Sequence, residues 1–148
     1  MENADTFTKV WQRVQTPSPP TAVQGMPEWI AREREDAMLY LHLSRQFRGR
    51  DSNILYQMYE QEQAHAACLK GIYKLTNHTL PEVRVAALPQ EPPELLLRKC
   101  YGREMRCLAA YEARAGHPEY GAVFSKLAQQ EQEHCRSILE ILGRMSNT

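Results

Sequence analysis

The segment Gln61-Glu62-Gln63-Ala64-His65 recurs in the second half of the chain as Gln130-Glu131-Gln132-Glu133-His134. The chain thus carries Glu-x-x-His twice in nearly the same setting. A further glutamate stands at one and the same distance before each copy, Glu35 before Glu62 and Glu104 before Glu131. One Glu-x-x-His says little, because both residue types are common on wet helix faces. Two copies, each with a glutamate at the same distance, are the pattern of a carboxylate-bridged two-metal site inside a four-helix bundle.

Residues three or four apart lie on one face of a helix. The face through the first cluster reads Leu55, Met58, Glu62, His65, Leu69, Ile72, and that through the second reads Phe124, Leu127, Glu131, His134, Ile138, Ile141. Both are apolar stripes of core-facing helices, with two polar residues standing where core residues belong. A wet face would require the flanking Leu, Phe and Ile to point outward as well. Ionised carboxylates in such a stripe are costly unless paired or bound to a metal. Glu104 lies on a third stripe, Leu97, Tyr101, Glu104, Leu108, Tyr111, Ala115. Glu35, crowded by Arg32, Glu33, Arg34 and Asp36, is assigned by the repeat alone.

Four glutamates balance two divalent cations, or two ferric ions with a bridging oxide. A site neutral in both oxidation states can cycle in a low-dielectric interior without a large electrostatic penalty. Mixed carboxylate and imidazole donors suit iron, with manganese as the other candidate, better than a single tetrahedral zinc. The expected ligands are therefore Glu35, Glu62, His65, Glu104, Glu131 and His134. Glu35 and His65 would hold one ion, Glu104 and His134 the other, and Glu62 and Glu131 would bridge.

These residues resemble the ferritin-like superfamily, and within it the rubrerythrin-type diiron proteins. The shared order is Glu on the first helix, Glu-x-x-His on the second, a long crossover, Glu on the third and Glu-x-x-His on the fourth. The resemblance covers about residues 28–143. It implies an antiparallel four-helix bundle, two irons and redox chemistry. Tyr111, seven residues after Glu104, fits the aromatic such proteins often keep near the metals. Two departures stand out. The position one turn after the third-helix ligand, a further Glu in rubrerythrin, is Cys107 here. No Cys-x-x-Cys exists from which to build a rubredoxin-like iron domain. His42 falls at the first-helix position equivalent to Tyr111. Tyr111, Cys107 and His42 are thus the candidates for redox or proton-handling roles beside the metals.

At 148 residues the chain suits one domain with a sizeable core. Its net charge of zero points away from nucleic acid and acidic membrane surfaces. No apolar run approaches the roughly 18 residues of a membrane span, and no signal-peptide core stands out, so a cytoplasmic protein is expected. Cys68, Cys100, Cys107 and Cys135 show no disulfide-framework or zinc-finger spacing, which fits a reducing compartment.

Helices are predicted from Pro27 to about Phe47, from Asp51 or Ser52 as cap to about Leu75, from about Glu94 to Ala115, and from Pro118 or Glu119 to Leu142 with Gly143 as the stop. Four prolines within 76–93 exclude a continuous helix and supply the crossover. Residues 1–26 form a separate arm. Phe7, Val10, Trp11 and Val14 sit at helical spacing ahead of a Pro-rich linker, either packing on the bundle or a neighbouring subunit or docking a partner protein.

Three function classes fit. One is rubrerythrin-like reduction of hydrogen peroxide, fed by a separate electron-donor protein because no donor domain is fused. The second is a ferroxidase acting with O2 for iron storage or detoxification. The third is a bundle whose metals are only structural, or that works as an interaction module. A homodimer or larger homo-oligomer is expected.

Overall fold

In a computed structural model of the chain, residues 24–146 are described. Among them are four α-helices and no strand: α1 (Met26–Ser44), α2 (Gly49–Asn77), α3 (Pro93–Ala113) and α4 (Gly121–Met145). This all-α arrangement fits a four-helix bundle. The amphipathic arm expected over residues 7–14 and its linker lie outside the described residues. Among the described residues no helix is long and apolar enough to cross a membrane.

The helix boundaries follow from local chemistry. Pro27 occupies the first turn of α1, where its missing N–H costs nothing. Gly49 has a positive φ, the left-handed conformation that suits a residue without Cβ, and starts α2 directly after the turn. Asp51 and Ser52, expected to cap α2, act elsewhere. Ser52 Oγ donates to Ser44 O (2.6 Å) at the end of α1, and Asp51 pairs with Arg144 Nη2 (2.6 Å). That pair anchors the last turn of α4, which runs through Gly143 to Met145 instead of stopping at the glycine. Pro118 likewise lies before α4 rather than inside it. At the start of α4, a Cβ on Gly121 would lie 2.4 Å from Ala115 O, so only glycine lets the two segments approach.

α1 packs chiefly on α2 and α3 chiefly on α4, while α1 meets α3, and α2 meets α4, along sparser seams. The core divides into two apolar slabs. One gathers Met26 and Ile30 of α1, Leu69 and Ile72 of α2, Cys107 and Tyr111 of α3, and Phe124, Leu127 and Ala128 of α4. The other gathers Leu39, Tyr40 and Leu43, Leu55 and Met58, Leu96, Leu97 and Cys100, and Ile138 and Ile141. Between them, in sequence on every helix, lies a layer of buried acid and imidazole.

Candidate metal centre

Each of the four helices sends at least one carboxylate into that layer. Glu33, Glu62, Glu104 and Glu131 are fully buried, and His65 and His134 are 2% exposed. Their donor atoms form two overlapping groups, Glu33, Glu62, His65 and Glu131, and Glu62, Glu104, Glu131 and His134. Within each group one atom per residue lies within 4.8 Å of all the others, the reach of a single metal ion. Glu62 and Glu131 belong to both.

The two histidines are held symmetrically. His65 Nε2 lies 2.6 Å from Gln130 Oε1, and His134 Nε2 lies 2.6 Å from Gln61 Oε1. An amide oxygen only accepts, so each Nε2 carries the proton and donates, which directs Nδ1 inward. His65 Nδ1 sits 2.8 Å from Glu131 Oε1 and 3.4 Å from Glu33 Oε2. His134 Nδ1 sits 2.6 Å from Glu62 Oε1 and 3.5 Å from Glu104 Oε1. The imidazoles stack with centroids 5.9 Å apart. Outer partners that fix ring orientation in this way are what metal-binding histidines require.

The two terminal glutamates are held by phenols. Tyr40 Oη donates to Glu104 Oε1 (2.6 Å), and Tyr111 Oη donates to Glu33 Oε1. Even so, both oxygens of Glu62 and of Glu131, Oε2 of Glu33 and of Glu104, and both Nδ1 atoms make no hydrogen bond of good geometry. Buried polar atoms are rarely left this way without a reason. All of them are oxygen or imidazole donors, the set that suits iron or manganese, so the residues fit a pair of such ions.

Without cations the layer takes up protons instead. Burial raises the Glu62 carboxyl well above its usual range, and Glu33 and Glu131 push it further. Burial would lower His65, but the Glu131 and Glu33 carboxylates outweigh it and hold its imidazole up at about 10. Burial raises Glu131 too, but the close His134 and His65 contacts win and keep it below the ordinary value.

The structure brings together Glu62, His65, Glu104, Glu131 and His134 and leaves Glu35 out. Glu35 is partly exposed, with Oε2 3.6 Å from Arg103 Nη2, and Glu33 takes the place expected for it. The repeat spacing holds from Glu104 to Glu131, but helical phase is not carried across a turn. Glu33 stands two positions further from Glu62 than that spacing allows. The signal was present in the α1 stripe Met26, Ile30, Glu33, Ala37, Tyr40, Ser44, all buried at steps of four and three. Moreover, Tyr40 follows Glu33 by seven residues, as Tyr111 follows Glu104.

His42 is therefore not the counterpart of Tyr111. It faces partly outward, with Nε2 2.9 Å from Gln46 Nε2 on an exposed surface. Cys107 is fully buried but belongs to neither donor group. Burial, then Glu33 and Asp36, push its thiol far up, so it stays protonated at neutral pH. Asp36, one turn after Glu33, is a buried carboxylate that sequence reasoning passes over. Arg103 Nε donates to its Oδ1. With Asp36 offset by Arg103, the four glutamates again leave four negative charges for two divalent ions.

Comparison with known protein families, curated proteins and solved structures finds no match.

Proposed function

We propose that this chain is a ferritin-like, rubrerythrin-type dimetal protein that reduces hydrogen peroxide with electrons from a separate donor. The carrying observation is the pair of donor groups sharing Glu62 and Glu131. Glu33 and His65 would hold one iron, Glu104 and His134 the other, with Glu62 and Glu131 common to both. Manganese fits the same donors.

The slabs support the expected topology. One joins the N-terminal parts of α1 and α4 to the C-terminal parts of α2 and α3, and the other joins the opposite ends. On that reading α1 and α2 run antiparallel, as do α3 and α4, and the non-helical residues 78–92 cross the length of the bundle.

A pair of irons held by these residues would supply two-electron redox chemistry towards a bound oxidant. The chain's own residues do the rest. Gln61 and Gln130 keep the imidazole protons on Nε2, leaving Nδ1 free to coordinate. Tyr40 and Tyr111 orient the terminal carboxylates and hold protons beside them, the phenols being kept neutral by burial. The two apolar slabs keep water from the layer.

The test begins with metal analysis of protein purified without added metal. Anaerobically reduced protein is then mixed with peroxide and with O2 in a stopped-flow instrument. Faster oxidation by peroxide is expected. O2 outrunning peroxide would favour a ferroxidase, and no reaction with either would leave only a structural role for the metals.

A further inference from the structure

The helices around the buried layer meet along two sparser seams, α2/α4 and α1/α3, and these are bridged differently. Between α2 and α4 the two crossed His–Gln hydrogen bonds and the stacked imidazoles fill the gap. Between α1 and α3 the Tyr40–Glu104 and Tyr111–Glu33 hydrogen bonds cross within the layer, and one ion pair, Asp36–Arg103, runs from the interior towards the surface. Asp36 of α1 is fully buried, with Oδ2 unpartnered, while Oδ1 accepts from Arg103 Nε of α3. The Arg103 side chain is 26% exposed, and its Nη2 reaches Glu35 Oε2 at 3.6 Å and Arg32 O at 3.5 Å. The pair therefore bridges the interior and the surface.

Two cavities open on the outer side of this pair. One of about 470 Å³ is mostly apolar, running under residues 85–89 against Met38, Leu39 and Leu96. The other, about 440 Å³, is polar, with Glu28, Glu35 and Glu82 balanced by Arg32, Arg84 and Arg103. Glu35 and Arg103 line both. On the inner side, Cys107 stands one turn after Arg103 and Glu104 on α3, fully buried and packed with Met26, Ile30 and Tyr111 in the slab that borders the donor layer.

We propose that the Asp36–Arg103 pair is the stopper of a port along the α1/α3 seam, through which a small neutral molecule reaches the Glu/His layer. Arg103 is the moving part, because it is the partly exposed member and its guanidinium already has Glu35 as a second carboxylate that can hold it when it leaves Asp36. Acidic and basic side chains are balanced in the polar cavity, and the mostly apolar one sets Glu35 against Lys99 and Arg103, so neither is built around one sign of charge. The inference rests on the dimetal reading for what the port serves, but the port can be probed without metal or turnover.

Cys107 is the reporter. Metal-free, full-length protein is treated with methyl methanethiosulfonate and with its anionic sulfonatoethyl and cationic trimethylammonioethyl analogues, and each cysteine is followed by peptide mass spectrometry. Wild-type Cys107 is expected to react slowly. Asp36→Asn/Arg103→Gln removes both charges yet keeps a hydrogen-bonding pair, so the fold survives, as a thermal melt checks. In that variant Cys107 should react about tenfold faster or more with the neutral reagent and gain less with the charged ones. Cys68 and Cys135, on α2 and α4, should be unchanged. Arg103→Lys should stay near wild type. An unchanged Cys107 rate, a rise shared by all four cysteines, or equal gains for neutral and charged reagents would each overturn the port. Failure of the wild type to bind iron or manganese would sink the dimetal reading alone and leave the thiol comparison standing.

Discussion

The phenol of Tyr40 donates a 2.6 Å hydrogen bond to Glu104 Oε1, and the reciprocal bond runs from Tyr111 to Glu33. Each tyrosine follows one terminal glutamate by seven residues and serves the other, so α1 and α3 lock each other's carboxylates. Replacing Tyr40 with Phe leaves Glu104 with a second unpartnered oxygen. It should destabilise the metal-free protein by about 1–3 kcal/mol in chemical denaturation. Tyr111→Phe should cost a similar amount through Glu33. A large loss in one variant and none in the other would show that the pairing is symmetric in geometry only.

Glu33 and Glu35 should separate by metal content. Glu33→Ala should lose about one of two bound ions, because it enters one donor group only, whereas Glu35→Ala should keep both. Glu62→Ala and Glu131→Ala should disturb both positions. Retention of two ions by Glu33→Ala, with loss in Glu35→Ala, would reverse the assignment.

Gln61 and Gln130 accept hydrogen bonds from the outer nitrogens of the histidines and so set which nitrogen faces inward. Gln130→Leu should weaken metal affinity about 10–100-fold by freeing the His65 tautomer, with Gln61→Leu acting on His134. Competition titration against a chelator measures this, and wild-type affinity in both variants would remove the glutamines from the site's design.

Metal-free protein should lose stability as pH rises. Glu62 has a folded pKa raised above its ordinary 4.5, and burial likewise raises Asp36 from 3.8 to about 7 despite Arg103. Groups raised in this way stabilise the fold fully below their unfolded values and lose that contribution as pH climbs through their folded ones. His65, raised from 6.5 to about 10, acts in the same direction over a higher window. Glu131, held below 4.5, opposes them only in acid. Thermal melts of chelated protein should therefore fall from about pH 5 towards pH 10, and bound metal should flatten the decline by replacing those protons. A melt that rises over this range without metal would contradict the buried layer.

The doubled Glu-x-x-His is legible because both of its residues lie on one helix, where the helical period fixes their shared face without reference to anything else. The stripes through Glu62, Glu104 and Glu131 are readable for the same reason, and the structure buries all three. Glu35 and His42 fail together, since both rest on carrying a spacing across the turn between the first two helices. Glu33 and Tyr40 lie on a readable stripe of their own, but Glu33 sits within the charged run Arg32–Asp36, where composition points to a wet surface.

Among the described residues, the four helices with their approximate limits and five of the six gathered donors were thus determined by the sequence alone, through periodicity and the cost of placing carboxylates in an apolar stripe. Tertiary structure decided what depends on two helices meeting. It chose Glu33 over Glu35, crossed the Tyr–Glu and His–Gln pairs between helices, and set Arg103 against Asp36. Those choices come from the rotation of each helix about its own axis, which apolar packing on either side of the layer selects. A linear spacing that spans a turn carries no information about that angle.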